Sequence, residues 1–114
     1  MSLKRSLVGF TIVACMMSFA GLGLAEEEVY TLTIKNHEFS PKELVIPAKK
    51  KVKILVDNQD ATPEEFESYE LNREKVVTGN NKITLFVGPL KPGTYKYFGE
   101  FHKDTAQGVI KAEE

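Results

Sequence analysis

The sequence predicts an all-β domain of about seven short strands, closed as a sandwich or barrel, and three observations predict it. Apolar and polar residues alternate with a period of two, most clearly in Val29–Lys35 and Lys82–Val87. Such runs return at intervals of about 8 to 14 residues, which leaves no room for the helices of a βαβ arrangement. The runs are rich in β-branched and aromatic residues, and Pro89, Pro92 and Gly93 punctuate the chain between them.

In order along the chain, Val29–Lys35 reads Val-Tyr-Thr-Leu-Thr-Ile-Lys, a strand packed on one face. Leu44–Ile46 is a second strand, stopped by Pro47. Lys51–Asp57 alternates Lys51 and Lys53 with Val52, Ile54 and Val56, and Lys82–Val87 alternates again. After the Pro89–Gly93 turn, Thr94–Phe98 and Gly108–Ala112 complete the set. No long helix is expected. A single helical turn is predicted within Pro63–Leu71 or just after His102, and there are no repeats or low-complexity tracts.

The chain of 114 residues divides into a leader and one domain. Residues 1–25 carry Lys4 and Arg5, the apolar run Leu7–Leu24, and small Gly23 and Ala25 before Glu26, which reads as a secretory signal peptide. The domain then occupies residues 26–114, and export to a periplasm with cleavage is the expectation. A retained membrane anchor is disfavoured because Gly9, Gly21 and Gly23 interrupt the run. A lipobox at Ile12-Val13-Ala14-Cys15 is disfavoured because the apolar run continues through Leu22.

Cleavage would remove Cys15 and Met1, Met16 and Met17, leaving no sulfur and excluding a disulfide framework. It would also leave 13 of the 15 basic residues against 16 acidic ones, a net charge of −3. No basic patch stands out, which argues against nucleic acid. A small domain without disulfides needs its aromatics, so Tyr30, Phe39, Phe66, Tyr69, Phe86, Tyr95, Tyr97, Phe98 and Phe101 are expected between two sheets.

Two constellations carry chemistry. The segment Pro63–Glu74 packs Glu64, Glu65, Glu67, Glu70 and Glu74 around a single cation, Arg73. Carboxylates about 5 Å apart repel by on the order of a few kcal/mol at an effective dielectric near 20, unless a cation or a proton intervenes. Glu65 and Glu67 flank Phe66, so in an extended segment both carboxylates share one face, a geometry that chelates. In Phe98-Gly99-Glu100-Phe101-His102, Glu100 and His102 alternate with aromatics in the same way. His37 lies in the polar turn Asn36-His37-Glu38 and reads as exposed. Carboxylates with one imidazole suit Fe(II), Fe(III), Mn(II) or Cu(II), and not Cu(I). Protonation near the reference carboxylate range, about pH 4 to 5, is expected to release such a metal. Nothing pairs a nucleophile with a base, so hydrolysis is not expected, and no small organic substrate is.

Phe39-Ser40-Pro41, Leu44-Val45-Ile46-Pro47-Ala48, Val56-Asp57-Asn58, Leu90-Lys91-Pro92-Gly93-Thr94-Tyr95 and Gly108-Val109-Ile110, in this order and spacing, resemble the cupredoxin framework. The resemblance spans Val29 to Ala112 and implies a Greek-key β-sandwich. Cupredoxins that shuttle electrons hold copper with two His, a Cys thiolate and usually an axial Met. Here Pro63-Glu64-Glu65 stands where they have His after Pro, and Gly99-Glu100 where they have Cys. A blue-copper centre is therefore not expected. Glu65-Phe66-Glu67-Ser68, Leu71, Glu74-Lys75 and Phe101-His102 look like the EfeO-type cupredoxin-like branch, associated with bacterial periplasmic iron uptake. That resemblance implies a metal site of Glu65, Glu67, Glu74, Glu100 and His102, holding an iron or copper ion. It also implies an inner-membrane iron permease or a companion periplasmic iron-binding protein as partner. A metal-free interaction module and a ferroxidase are the competing readings.

Overall fold

The computed structural model describes residues 28–114, so the expected leader and lipobox lie outside the described residues. Among these residues nine strands make two layers. Their order along the chain is β1 (Val29–Lys35), β2 (Glu38–Ser40), β3 (Glu43–Pro47), β4 (Val52–Asn58), β5 (Glu64–Ser68), β6 (Arg73–Val77), β7 (Lys82–Val87), β8 (Gly93–Gly99) and β9 (Gln107–Glu113). One sheet runs β2-β1-β4-β7 and the other β3-β9-β8-β5-β6. Pairings are antiparallel except for β1 with β4 and β3 with β9, which are parallel. No helix among the described residues is long and apolar enough to cross a membrane.

The alternation read from the sequence is the one that folds. In β4 every second residue is buried, so Val52, Ile54 and Val56 face the opposite sheet. Leu32, Ile34, Ile46, Ile110 and Val77 meet them in one apolar core. Its aromatic part is a trio: Tyr97 lies edge-on to Phe39 at 4.9 Å and stacks on Phe66 at 5.0 Å. Tyr30 and Tyr95 pack partly against the core. The expected burial of the other aromatics is corrected: Tyr69, Phe86 and Phe101 are exposed, because each sits on a strand position or turn that faces outward.

Two further corrections concern Pro63–Leu71 and the strand count. The segment expected to hold a helical turn is instead β5 followed by the turn into β6, since β5 is held on both sides by β6 and β8. Adding β2, β5 and β6 raises the total to nine. Among the described residues the helical turn is a 3-10 turn at Glu100–His102, ending at His102 rather than following it.

Two polar devices fix the end of the sandwich where β5 begins. Buried Asn58 donates from Nδ2 to the carbonyls of Thr62, Val77 and Thr78 and accepts the amide of Asp60 at Oδ1, pinning the loop that delivers β5. Asp60 in turn accepts the amides of Asn36 and His37, both at positive φ in the β1–β2 turn, a hairpin geometry that Asn favours. At the side, Arg73 Nε donates to the Phe86 carbonyl at 2.9 Å and Lys75 Nζ reaches the Thr84 carbonyl at 3.5 Å. These side chains of β6 cover the free edge of β7.

Candidate metal centre

β5 splits its acidic residues between two faces. Glu64, Phe66 and Ser68 are buried and Glu65 and Glu67 half-buried on the outer face, the strand's period of two made visible. The turn Tyr69–Asn72 brings β6 back in a register that sets Glu74 directly opposite Glu67 and Val76 opposite Glu65. Carboxylate oxygens of Glu65, Glu67 and Glu74 consequently lie within 4.8 Å of one another.

Three like charges at that spacing are costly, and the protein answers with a proton. A hydrogen bond to Glu74, then burial, then the charges of Glu74, Glu67 and Glu100 push the Glu65 carboxyl up to about 7 from 4.5. Burial, followed by Glu74 and Glu100, also raises Glu67, with Lys103 opposing. Glu100 thus stands within electrostatic reach of the group, and Lys103 lies 3.5 Å from it. At neutral pH the cluster is short of positive charge. A divalent cation of oxygen preference is the species that would relieve it.

His102 belongs elsewhere. Its Nδ1 lies 2.7 Å from Oε2 of Glu64, on the inward face of β5, and its ring stacks on His37 with centroids 3.6 Å apart and planes 11° from parallel. Of the five residues expected to share a site, Glu65, Glu67 and Glu74 converge, Glu100 borders them, and His102 joins Glu64. His37 is held by this stack, by Asp60 at its amide, and by Thr105 Oγ1, which donates to its carbonyl at 2.6 Å. Two parallel rings aim their nitrogen lone pairs along parallel planes, so in this arrangement they do not chelate one ion together.

Glu64 is the residue that sequence reasoning missed. Only 1% exposed, it accepts the amides of Glu65 and Phe101 at Oε1 and faces His102 with Oε2. A buried charge needs such partners. The signal was the parity it shares with Phe66, which puts a carboxylate on the core side. It also decides the question of sulfur-ligated copper: a Cβ on Gly99 would lie 2.6 Å from Glu64 Cδ and 2.7 Å from Ala106 Cβ. The space beside Gly99, where the cupredoxin resemblance implies the Cys of electron carriers, is filled by a carboxylate, and residues 28–114 contain neither Cys nor Met. The donors present do not fit a blue-copper ion.

Residues 7–112 match the family described as cupredoxin-like domain. An uncharacterized protein of Rickettsia prowazekii (strain Madrid E) is 48% identical over 79 residues, which cover 69% of this chain and 63% of that protein; the chain therefore spans less than two thirds of that relative. Among solved structures, auracyanin A, a blue copper protein from Chloroflexus aurantiacus, superposes with a TM-score of 0.65 at 14% identity, covering 77% of this chain and all of that one. Amicyanin from Paracoccus versutus gives 0.61 at 16% identity, covering 78% and 85%. At these identities the likeness to the copper proteins is one of fold.

Proposed function

The chain belongs to the cupredoxin-like family, and from that premise we propose that it binds iron or copper(II) as cargo, through oxygen donors rather than sulfur, in support of ferrous iron uptake. The observation that carries the reading is the convergence of Glu65, Glu67 and Glu74 within 4.8 Å on the outer face of β5 and β6. Resemblance to the EfeO-type branch supplies the setting: an exported protein working beside an inner-membrane iron permease or a companion iron-binding protein.

The chemistry follows from the proton held on Glu65, which is hydrogen-bonded to Glu74. An incoming cation displaces it, so binding releases a proton and weakens as pH falls. With the Glu65 carboxyl raised to about 7, the onset of release moves up from the pH 4 to 5 of ordinary carboxylates. Lys103 near Glu100 tempers the negative field.

Anaerobic titration with Fe(II) and Mn(II) tests the reading, alongside Cu(II), which outcompetes both at most such sites and so proves little alone. One equivalent bound by the protein and none by Glu65→Gln/Glu67→Gln/Glu74→Gln is the expected result. Absence of stoichiometric binding, or binding indifferent to the three substitutions, overturns it. A metal-free interaction module is the second reading, favoured by the exposure of Tyr69, Val76 and Phe101 at 74%, 46% and 48%. Under that reading, partner association persists in excess chelator.

A further inference from the structure

Beyond the acidic cluster, the outer face of the β3-β9-β8-β5-β6 sheet carries a groove of about 750 Å³, within the range of small-molecule sites. Lys42, Lys96 and Lys103 reach it from the β2–β3 turn, β8 and the β8–β9 connection, with Asp104 as the one acid on its wall. Phe98 and Tyr69 give it an aromatic side, edge to face at 5.5 Å, and Lys103 Nζ stands 5.8 Å over the Phe98 ring. The ammonium groups are weakly engaged. Lys42 meets Glu38 at 3.8 Å, an exposed pair, Lys103 meets Glu100 at 3.5 Å, and Lys96 forms no ion pair among the described residues. Three cations against one acid is the reverse of the excess of acidic over basic residues in the whole chain.

Tyr69, 74% exposed, is also a wall of a second, smaller recess of about 390 Å³ lined by Glu67 and Glu74, with Arg73 the one cation on it and engaged by the carbonyls of Phe86, Leu71 and Asn72. A basic groove and an acidic recess therefore adjoin across one phenol ring. We infer that the basic groove binds a small organic polycarboxylate, and that the protein receives its metal as a carboxylate chelate, the anion resting on the lysines and the cation beside Glu67. The anion part stands on the groove alone, while the part about the metal rests on the function proposed above. This ligand class runs against the expectation of no small organic substrate; Lys42, Lys96 and Lys103 are scattered along the chain and converge only through the β8–β9 connection and the β2–β3 turn.

The test is an NMR titration of the protein with citrate alone, with inorganic phosphate as control and Mn(II) alone in a separate arm. Citrate is expected to give saturable shifts at Tyr69, Lys96 and Phe98, and Lys96→Gln/Lys103→Gln to weaken binding by about tenfold or more. Lys82→Gln, on β7 in the opposite sheet, is expected to leave citrate binding intact. Shifts that do not saturate by about 10 mM, equal shifts with phosphate, or indifference to the lysine substitutions each overturn the inference. So do shifts that grow with protein concentration before citrate is added, because a second copy would then occupy the groove. Mn(II) broadening at Glu65 and Glu67 reads the metal proposal separately, so either can fail without the other.

Discussion

Replacing Glu64 removes the acceptor of three hydrogen bonds at once. In Glu64→Ala the amides of Glu65 and Phe101 and Nδ1 of His102, all part-buried, lose a partner that is itself 1% exposed. Breaking a buried pair from one side costs about 3 to 5 kcal/mol, and each orphaned donor about 1 to 3 kcal/mol where water does not replace the partner. Because these figures overlap, a total loss of about 3 to 5 kcal/mol is expected. Urea unfolding followed by far-UV circular dichroism reads it, as a midpoint lowered by about 1.5 to 3 M for a small domain. Glu64→Gln sharpens the test, because its amide oxygen still accepts from the backbone while its NH2 turns toward His102. His102 Nδ1 must then accept instead of donate, and nitrogen NMR of the imidazole should show the proton moved to Nε2. If Glu64→Ala costs less than about 1 kcal/mol and the His102 tautomer is the same in Glu64→Gln, the buried carboxylate does not hold this end of the sandwich.

The Glu65 carboxyl and the Asn58 amide each give a further outcome. A carboxyl whose folded pKa is raised binds its proton better in the native state, so stability falls as pH rises from about 4.5 to about 7; Glu65→Gln should flatten that fall and melt higher than the parent at pH 8 but not at pH 4. Asn58→Ala strands the Thr62 carbonyl and Asp60 amide before β5 and the Val77 and Thr78 carbonyls at the end of β6, and thermal melting should register about 2 to 4 kcal/mol, against a few tenths for an exposed asparagine such as Asn81→Ala.

Strands whose pattern is local were legible to the residue. Val29–Lys35 and Lys82–Val87 alternate strongly enough to mark both ends, and the structure places β1 and β7 on the same residues. β5 was not legible, because Glu64-Glu65-Phe66-Glu67-Ser68 has low strand propensity and becomes a strand through partners on β6 and β8 supplied by distant sequence. The same limit divides the site. That Glu65 and Glu67 share a face followed from parity, whereas the pairing of Glu74 with Glu67 depends on the register set by the Tyr69–Asn72 turn. Glu64 escaped notice because an isolated glutamate reads as solvated, and only the folded neighbours reveal the imidazole and amides that permit its burial.

The position of β9 has a consequence for how the molecule reaches its final form. It lies between β3 and β8, paired parallel to one and antiparallel to the other, although it is the last strand among the described residues. Until Gln107–Glu113 are free to enter, β3 has no neighbour in its sheet and the second layer stays split. Completion thus depends on joining segments some sixty positions apart, the kind of long-range closure that makes β proteins slow folders.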